Sequence, residues 1–359
     1  MKCIKLLFYF CFVLNLMSSI LPVKLLVAAA FLWAAANGYA QTPAGKDSSR
    51  TILSVSGTQL PNNSLLHNFT NEPIIETDSV DFILPFSRAG NLILIKAKAD
   101  KIEGSFILDT GAPGLILNTT YFRDYPVLEG TGNGEQSGGI TGAITDYGRT
   151  MIRKLSFGAV HYHKVEADRI SLGHIENSKG IKIFGLLGVQ LFKHFEMIID
   201  YENSEIHLHH ISKKEAKTYQ HSMLSDTSAY SVFDINLVDN KILTYGKVGG
   251  KRLTFLVDTG AESNVIDSRL SENVLDSVSI SRRITLNGAG NAKVDALYGD
   301  MRNFTIGDRA VNSMPVLVTN MAKMCFSYNR CLDGMLGFDF LSMHKIGFNF
   351  VKRKMYIWK

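Results

Sequence analysis

The sequence lacks the motifs that define several large enzyme classes. It contains no P-loop, no G-x-S-x-G nucleophile elbow and no G-x-G-x-x-G following a strand. Histidines cluster in "HYH" (161–163) and "HLHH" (207–210), but no carboxylate or cysteine pattern beside them completes a metal-ligand set. We therefore expect neither a cofactor nor a metal ion.

The sequence also lacks a large excess of charge of either sign. The 359 residues carry 38 Lys and Arg against 33 Asp and Glu, a net charge of +5, and no basic block occurs in the body of the chain. This balance argues against a nucleic-acid partner. With 46% hydrophobic and 20% charged residues the composition is globular, and the length allows two domains.

The first 40 residues contain three lysines and no acidic residue. Two apolar runs, 6–21 and 25–36, are each short for a membrane span, which needs about 20 apolar residues. Such a segment is typical of a signal peptide. Its removal would lower the net charge from +5 to +2 by taking away the three lysines.

A cleavage site is recognisable where this segment ends. Small residues Gly38 and Ala40 precede Gln41 in the pattern that signal peptidase accepts. We expect a signal peptide over residues 1–40, export to the periplasm, the outer surface or the exterior, and no stable membrane span after cleavage. A retained membrane anchor is the alternative, and Met17 is an alternative start.

Only two cysteines lie outside this segment, Cys325 and Cys331 in "CFSYNRC". Two close cysteines in an exported chain favour a disulfide. A metal site is the weaker alternative, because no nearby histidine pair completes a ligand set.

The chain contains an internal repeat. Five pairs of similar residues in similar surroundings are each separated by 149 positions: Asp109 and Asp258, Gly158 and Gly307, Gly185 and Gly334, Gly188 and Gly337, and Asp200 and Asn349. One constant offset over about 90 residues indicates two copies of one domain, since the period is far too long for a solenoid.

Within each copy, short runs rich in Val, Ile, Leu, Phe and Thr alternate with Gly- or Asn-containing breaks, as in β-strands. The fold class is therefore all-β, with one short helix per lobe predicted at 189–195 and at 338–344. The predicted organisation is a signal peptide over 1–40, an N-terminal arm or linker over 41–79, lobe 1 over 80–211, a linker over 212–228 and lobe 2 over 229–359. Whether the arm is a propeptide, an extra strand or a tether stays open.

Each copy carries Asp-Thr-Gly-Ala directly after an apolar run, in "FILDTGAPGLI" (106–116) and "FLVDTGAESNV" (255–265). Two copies of one domain tend to pack about a pseudo-two-fold axis, which would bring Asp109 opposite Asp258. Two carboxyls about 3 Å apart cannot both ionise, so one serves as a base and the other as an acid. Such a pair can activate a water molecule and protonate a peptide carbonyl.

These features resemble the aspartic peptidases of the retropepsin-like and pepsin-like clan, and within it the bacterial exported aspartyl protease family with two repeats in one chain. The resemblance rests on the two Asp-Thr-Gly-Ala loops and on the segments 186–188 and 335–337, each two apolar residues and a glycine before a predicted short helix. It covers roughly residues 80–358. It implies two retropepsin-like acid-protease lobes related by a pseudo-two-fold axis, with the 186–188 and 335–337 segments packed beside the aspartate loops.

By this resemblance Asp109 and Asp258 are the catalytic pair. Thr110 and Thr259 would join the two loops by reciprocal hydrogen bonds. Gly111 and Gly260 would offer backbone N–H groups to the carboxyls and to water, and Ala112 and Ala261 are the remaining supporting residues. Ala112 and Ala261 lack a hydroxyl that could donate to a carboxylate, so we expect a mildly acidic pH optimum.

Family members cover the cleft with hairpin flaps, and a glycine-rich tip follows each aspartate by about 30 residues. The predicted flap residues are Gly138, Gly139, Gly142, Gly288 and Gly290; ordinary surface turns are the alternative. The first loop departs from the second at Pro113-Gly114, which suits either non-equivalent lobes or a lobe that has lost function.

The predicted function is an aspartic endopeptidase acting on a peptide or protein substrate as a monomer. The alternative is a non-catalytic peptide-binding protein that retains the acid-protease fold. A β-rich carbohydrate-binding or structural protein, in which the Asp-Thr-Gly-Ala segments are turns, is a further alternative.

Overall fold

The computed structural model describes residues 72–76, 80–128, 138–139, 142–143, 148–287, 293–327 and 331–359, most of them in strands. The strands of the first half are β1 (Ile74–Ile75), β2 (Asp81–Pro85), β3 (Ser87–Ala89), β4 (Leu92–Ala99), β5 (Ile102–Leu108), β6 (Leu115–Asn118), β7 (Gly138–Gly139), β8 (Gly142–Ala143), β9 (Gly148–Phe157), β10 (Val160–Ile170), β11 (Gly185–Leu187), β12 (Phe195–Asp200) and β13 (Glu205–His210). Those of the second half are β14 (Tyr230–Asp234), β15 (Asn236–Val238), β16 (Lys241–Val248), β17 (Lys251–Val257), β18 (Val265–Asp267), β19 (Val278–Asn287), β20 (Lys293–Ile306), β21 (Arg309–Thr319), β22 (Gly334–Leu336), β23 (Ile346–Asn349) and β24 (Lys354–Trp358).

The strands of the two halves correspond at the offset seen in the sequence. β4 and β16, β5 and β17, and β11 and β22 each begin 149 positions apart. In the first half β9 pairs with both β10 and β4, which closes that eight-stranded sheet into a barrel. In the second half β20 pairs with β21 and touches β16 through Lys247 and Thr305, which forms the equivalent ring. The all-β fold with two acid-protease-like lobes is thus confirmed; lobe 1 is built from β2–β13 and lobe 2 from β14–β24.

A six-stranded sheet joins the lobes, in the order β14-β24-β23-β12-β13-β2, with three strands from each. At its centre β12 runs antiparallel to β23, and Ile198 stands opposite Gly347, the residue 149 positions later. Pairing of equivalent residues is what a two-fold axis between the strands requires. This shared sheet is not predictable from local sequence patterns, because its strands are distant from one another along the chain.

The helices among the described residues are all short. They are α1 (Thr119–Phe122), α2 (Gly173–Lys179), α3 (Glu272–Leu275), α4 (Ala322–Ser327) and α5 (Phe338–Leu341), with 3-10 helices at Val189–Phe192 and Ser222–Leu224. The two predicted helices are present as Val189–Phe192 and α5. In the part of the chain that the structure describes, each lobe also has two further helices of four to seven residues, which are too short to show an amphipathic period in the sequence.

The described part of the N-terminal arm forms an extra strand. Its two-residue strand β1 pairs antiparallel with β10, with Ile74 opposite His161. The signal peptide predicted over 1–40 and the rest of the arm lie outside the described residues. The predicted domain boundaries stay predictions. Within the described ranges, no helix is long and apolar enough to cross a membrane.

Candidate active site

The two aspartate loops leave the ends of buried strands. Asp109 follows β5, and β11 pairs parallel with β5 and antiparallel with β6. The Asp109 amide donates to the Leu187 carbonyl at 3.0 Å, and the Asp258 amide donates to the Leu336 carbonyl at the same distance in lobe 2. Each loop is therefore held by the segment that the resemblance placed beside it.

Glycines at 188 and 337 permit this packing. A Cβ atom on Gly188 would lie 2.4 Å from the Gly114 carbonyl oxygen, and one on Gly337 would lie 2.5 Å from the Ser263 carbonyl oxygen. Real Cβ atoms do not approach backbone so closely. Only glycine lets the two segments of each lobe pack this closely.

Two threonines join the lobes at the base of the loops. The Thr110 amide donates to Thr259 Oγ1 at 3.0 Å, and the Thr259 amide donates to Thr110 Oγ1 at 2.9 Å. Each hydroxyl in turn donates across the interface at 2.8 Å, Thr110 to the Val257 carbonyl and Thr259 to the Leu108 carbonyl. Both side chains are buried, so these four bonds hold the loops in a symmetric arrangement.

The carboxyls of Asp109 and Asp258 meet and share a hydrogen bond. The amides of Gly111 and Ala112 donate to Asp109 Oδ1 at 2.8 and 3.0 Å, and the Gly260 amide donates to Asp258 Oδ1 at 2.8 Å. The glycines are also required sterically. A Cβ on Gly111 would lie 2.4 Å from Asp258 Oδ2, and one on Gly260 would lie 2.6 Å from Asp109 Cγ.

The pair is electrostatically asymmetric. Burial raises the pKa of Asp109 above its usual 3.8, while the hydrogen bond from Asp258, the loop amides and Lys241 act to lower it. Burial and the neighbouring Asp109 charge raise the pKa of Asp258 well above 3.8. Both pKa values are raised and the carboxyls are neighbours, so the pair shares one proton rather than ionising fully.

The sequence difference between the two aspartate loops, Pro113 in the first and Glu262 in the second, corresponds to a contact between the lobes. Glu262, four residues after Asp258, accepts from Lys179 of lobe 1 at 2.6 Å, and its backbone carbonyl accepts from the Asn91 side chain at 3.1 Å. The equivalent position in the first loop is Pro113, which has no carboxylate. The difference at this position is visible in the sequence, whereas the contact between the lobes is not.

Lys241 is a charged residue of lobe 2 that was not among the predicted site residues. It is the first residue of β16, and burial lowers its pKa below the usual 10.5 while Asp239 and Asp109 act to raise it. A comparison of the two copies at the constant offset would have revealed it, because the equivalent residue of the first copy, Leu92, is apolar and 4% exposed.

Part of the first predicted flap lies within the described residues. β7 and β8 form a two-stranded hairpin in which Gly139 pairs with Gly142 and Gly138 with Ala143, and this hairpin contacts α4 of lobe 2. The second flap glycines, Gly288 and Gly290, lie outside the described residues. Covering of the cleft by either tip stays a prediction.

The predicted disulfide between Cys325 and Cys331 is confirmed. The histidine clusters have other contacts: His161 lies 3.0 Å from the Glu76 carboxylate, and His209 Nδ1 lies 2.7 Å from Asp81 Oδ1. Among the residues that the structure describes, no group of three or more His, Cys, Asp or Glu side chains is arranged to hold a metal ion.

Comparisons with known proteins agree with the site in part. No curated protein matches the sequence significantly. A superposition on basic 7S globulin from soybean has a TM-score of 0.43 and 11% identity, over 77% of this chain and 94% of that one. One on a retropepsin-like aspartic protease from Rickettsia conorii has a TM-score of 0.26 and 16% identity, over 36% of this chain and 98% of that one. Both TM-scores are too low to carry an argument. The family model described as aspartyl protease matches residues 244–340, and this segment, which contains Asp258, Thr259 and Gly260, supports an aspartyl protease family.

Proposed function

We propose that the protein is an aspartic endopeptidase that hydrolyses peptide bonds with a water molecule activated between Asp109 and Asp258. The observation that carries the proposal is the hydrogen bond shared by the buried Asp258 carboxyl and the partly exposed Asp109 carboxyl, each held by loop amides of its own lobe. A base and an acid side by side are what this hydrolysis needs.

In this proposal Asp258 carries the shared proton, because burial and the neighbouring Asp109 charge raise its pKa well above 3.8. Asp109, as carboxylate, takes a proton from the water, whose oxygen forms a bond to the substrate carbonyl carbon. Asp258 donates its proton to the carbonyl oxygen, which gives a neutral tetrahedral diol. The diol then collapses: the proton held by Asp109 passes to the leaving nitrogen, the C–N bond breaks, and a diol hydroxyl returns its proton to Asp258.

The working pH range follows from the same asymmetry. Activity requires ionised Asp109 and protonated Asp258, and burial raises the pKa of both. The rate should therefore peak between the two pKa values, in the mildly acidic range, and a peak at about pH 2 would contradict this assignment.

The cellular setting belongs to the proposal as well. The lysine-containing apolar segment at 1–40 supports export and membership of the bacterial exported group with two repeats. The small net charge argues for a peptide or protein substrate rather than nucleic acid. Because one chain supplies both aspartates, a monomer suffices for activity.

The test is cleavage of a mixed peptide library by the full-length protein, followed by mass spectrometry. We expect cleavage by the wild type, none by Asp109→Asn or Asp258→Asn, and unchanged cleavage by Asp308→Asn, which alters an exposed turn. Peptide binding without cleavage by the wild type would favour a non-catalytic binding protein. Full activity of either dyad variant would refute the shared-pair mechanism.

A further inference from the structure

A groove of about 710 Å³ opens on lobe 1. It is lined by residues of strands β3, β4 and β5 and by the end of α2 with the segment that follows it. Its volume falls within the range of about 300–1,000 Å³ that ligand sites have. The lining holds one acid, Glu103, and four cations, Arg88, Lys96, Lys179 and Lys182, so this basic groove is strongly positive in a chain with little net charge.

Three of the four cations have only uncharged neighbours. Within the described ranges of the chain, Arg88, Lys96 and Lys182 form no ion pair with a carboxylate. The Lys96 ammonium donates to the Ser105 hydroxyl at 3.1 Å, and the Arg88 guanidinium lies 4.5 Å from the centre of the Phe338 ring. Neither contact neutralises a charge, so each cation keeps the capacity to bind an anion.

The single acid of the lining does not cancel this charge. In the register of β4 and β5, Glu103 stands opposite Lys98, so the two side chains lie on the same face of the sheet. Opposite charges in this cross-strand position attract each other. The negative charge of Glu103 is therefore offset by Lys98, which lies outside the lining.

The uncharged part of the lining is largely apolar, with Leu94, Ile181 and Phe184. The Phe184 ring is held firmly, because it stacks on Tyr121 with 4.1 Å between the ring centroids. It also lies so close to β5 that a Cβ on Gly104 would be 2.1 Å from it. Apolar surface between cations suits a peptide, which presents methylene groups as well as carboxylates.

The second lobe does not repeat this charge. The residues 149 positions after the three unpaired cations are all uncharged: Leu237, Tyr245 and Cys331. The strand registers agree with this comparison, since Lys96 pairs with Ser105 in lobe 1 and Tyr245 with Thr254 in lobe 2. The fold therefore does not require cations here, and residues that depart from the pattern of a fold concentrate at functional sites.

Two of the four cations connect the basic groove to lobe 2. Lys179 binds the carboxylate of Glu262 at 2.6 Å, and Glu262 follows Asp258 by four residues in the second aspartate loop. Arg88 contacts Phe338, the first residue of α5. A peptide in the basic groove therefore lies beside elements that flank the second aspartate.

We propose that the basic groove binds an acidic segment of the peptide substrate, with its aspartate or glutamate side chains on Arg88, Lys96 and Lys182. This inference rests on the proposed function and names the substrate class. Carboxylates form charge-assisted hydrogen bonds with these cations, and the positive field attracts an acidic chain. The small net charge of the whole chain argues against nucleic acid as the occupant.

Binding is tested by fluorescence anisotropy with the full-length Asp258→Asn protein, so that the probe is not cleaved. The probes are a labelled peptide of alternating Glu and Ala and the same peptide with Gln in place of Glu. At about pH 7 the glutamates are ionised, and we expect the Glu peptide to bind at least about fivefold more tightly. This advantage should disappear in about 1 M salt, where the Debye length is about 3 Å.

A double variant in the same background, Lys96→Gln with Lys182→Gln, identifies the site. Lys214→Gln with Lys217→Gln is the matched control, because it removes two exposed lysines outside the basic groove. Thermal melting verifies folding. The preference for the Glu peptide should fall by at least about twofold in the double variant and stay unchanged in the control. Equal affinity for both peptides, an unchanged preference in the double variant, or an equal loss in the control would overturn the proposal.

Cleavage separates this proposal from the proposed function. In protein with both aspartates intact, the Lys96→Gln and Lys182→Gln double variant should raise KM for acidic library peptides by at least about twofold and leave kcat unchanged, because the basic groove binds substrate away from the reacting atoms. An unchanged KM would contradict the proposal. If the wild type cleaves nothing, the peptidase proposal fails, and the comparison of Glu and Gln peptides still decides whether the basic groove binds acidic chains.

Discussion

The hydrogen bonds between Thr110 and Thr259 allow a quantitative test of how the lobes hold the site. Thr259→Val removes one hydroxyl and keeps the side-chain shape. It breaks the bond from the Thr110 amide and the bond to the Leu108 carbonyl, and leaves the two bonds of the Thr110 hydroxyl in place.

The expected magnitude follows from burial. Thr110 and Thr259 are 1% and 2% exposed, so water cannot replace the lost partner. Each buried group left without a partner costs about 1–3 kcal/mol, and two groups give about 2–6 kcal/mol of unfolding free energy. At about 2–4 °C per kcal/mol for a domain of about 150–250 residues, the melting temperature should fall by at least several degrees.

The assay is denaturant unfolding of Thr259→Val beside Thr259→Ser, which keeps the hydroxyl, and Thr227→Val, which removes one from an exposed turn. Only Thr259→Val should lose stability on this scale. Its kcat should also fall by about 100-fold if the loops move by about 1 Å. Wild-type stability of Thr259→Val would refute the reasoning.

Two further predictions follow from the same loops. Burial raises the pKa of Asp258 in the folded protein well above 3.8, so the stability that its protonation provides is present below about pH 3.8 and is lost as pH rises through the folded pKa. Asp258→Asn cannot ionise, so it should gain stability relative to the wild type as pH rises. The measurement is the unfolding free energy of both proteins across the acidic to neutral range, with Asp308→Asn as control. A difference in unfolding free energy between Asp258→Asn and the wild type that stays constant with pH would contradict the prediction. Gly188→Ala should cost about 1–3 kcal/mol or more, because its Cβ would lie 2.4 and 2.5 Å from the carbonyl oxygens of Gly114 and Ala112. Gly173→Ala, whose Cβ would have its nearest neighbour at 3.7 Å, is the matched control in the same denaturation assay, and equal stability of the two variants would refute the packing argument.

The pairing of the aspartates could be predicted because it depends on local patterns. An apolar run before each Asp-Thr-Gly-Ala indicates a buried strand ending at the acid, and the constant offset predicts a symmetric partner. The glycines at 188 and 337 were recognisable for the same reason, since each recurs in the same pattern 149 positions apart.

The shared six-stranded sheet could not be predicted in this way. Each of its strands reads as an ordinary apolar run, and neither pattern nor spacing reveals that β12 pairs with β23. Pairing between distant strands is decided by how the two lobes pack, because the register of any one strand fits many partners.

The sequence by itself determined that this protein has two similar β-rich halves and that each brings one aspartate to a glycine-flanked loop. Repetition and local apolar pattern suffice for that. Only the tertiary structure decided how the two halves contact each other beside the site. Lys179 reaches the Glu262 carboxylate across 83 positions, and Asn91 reaches the Glu262 backbone carbonyl across 171 positions. Electrostatic interactions depend on distance in space and on burial, and neither can be read from separation along the chain.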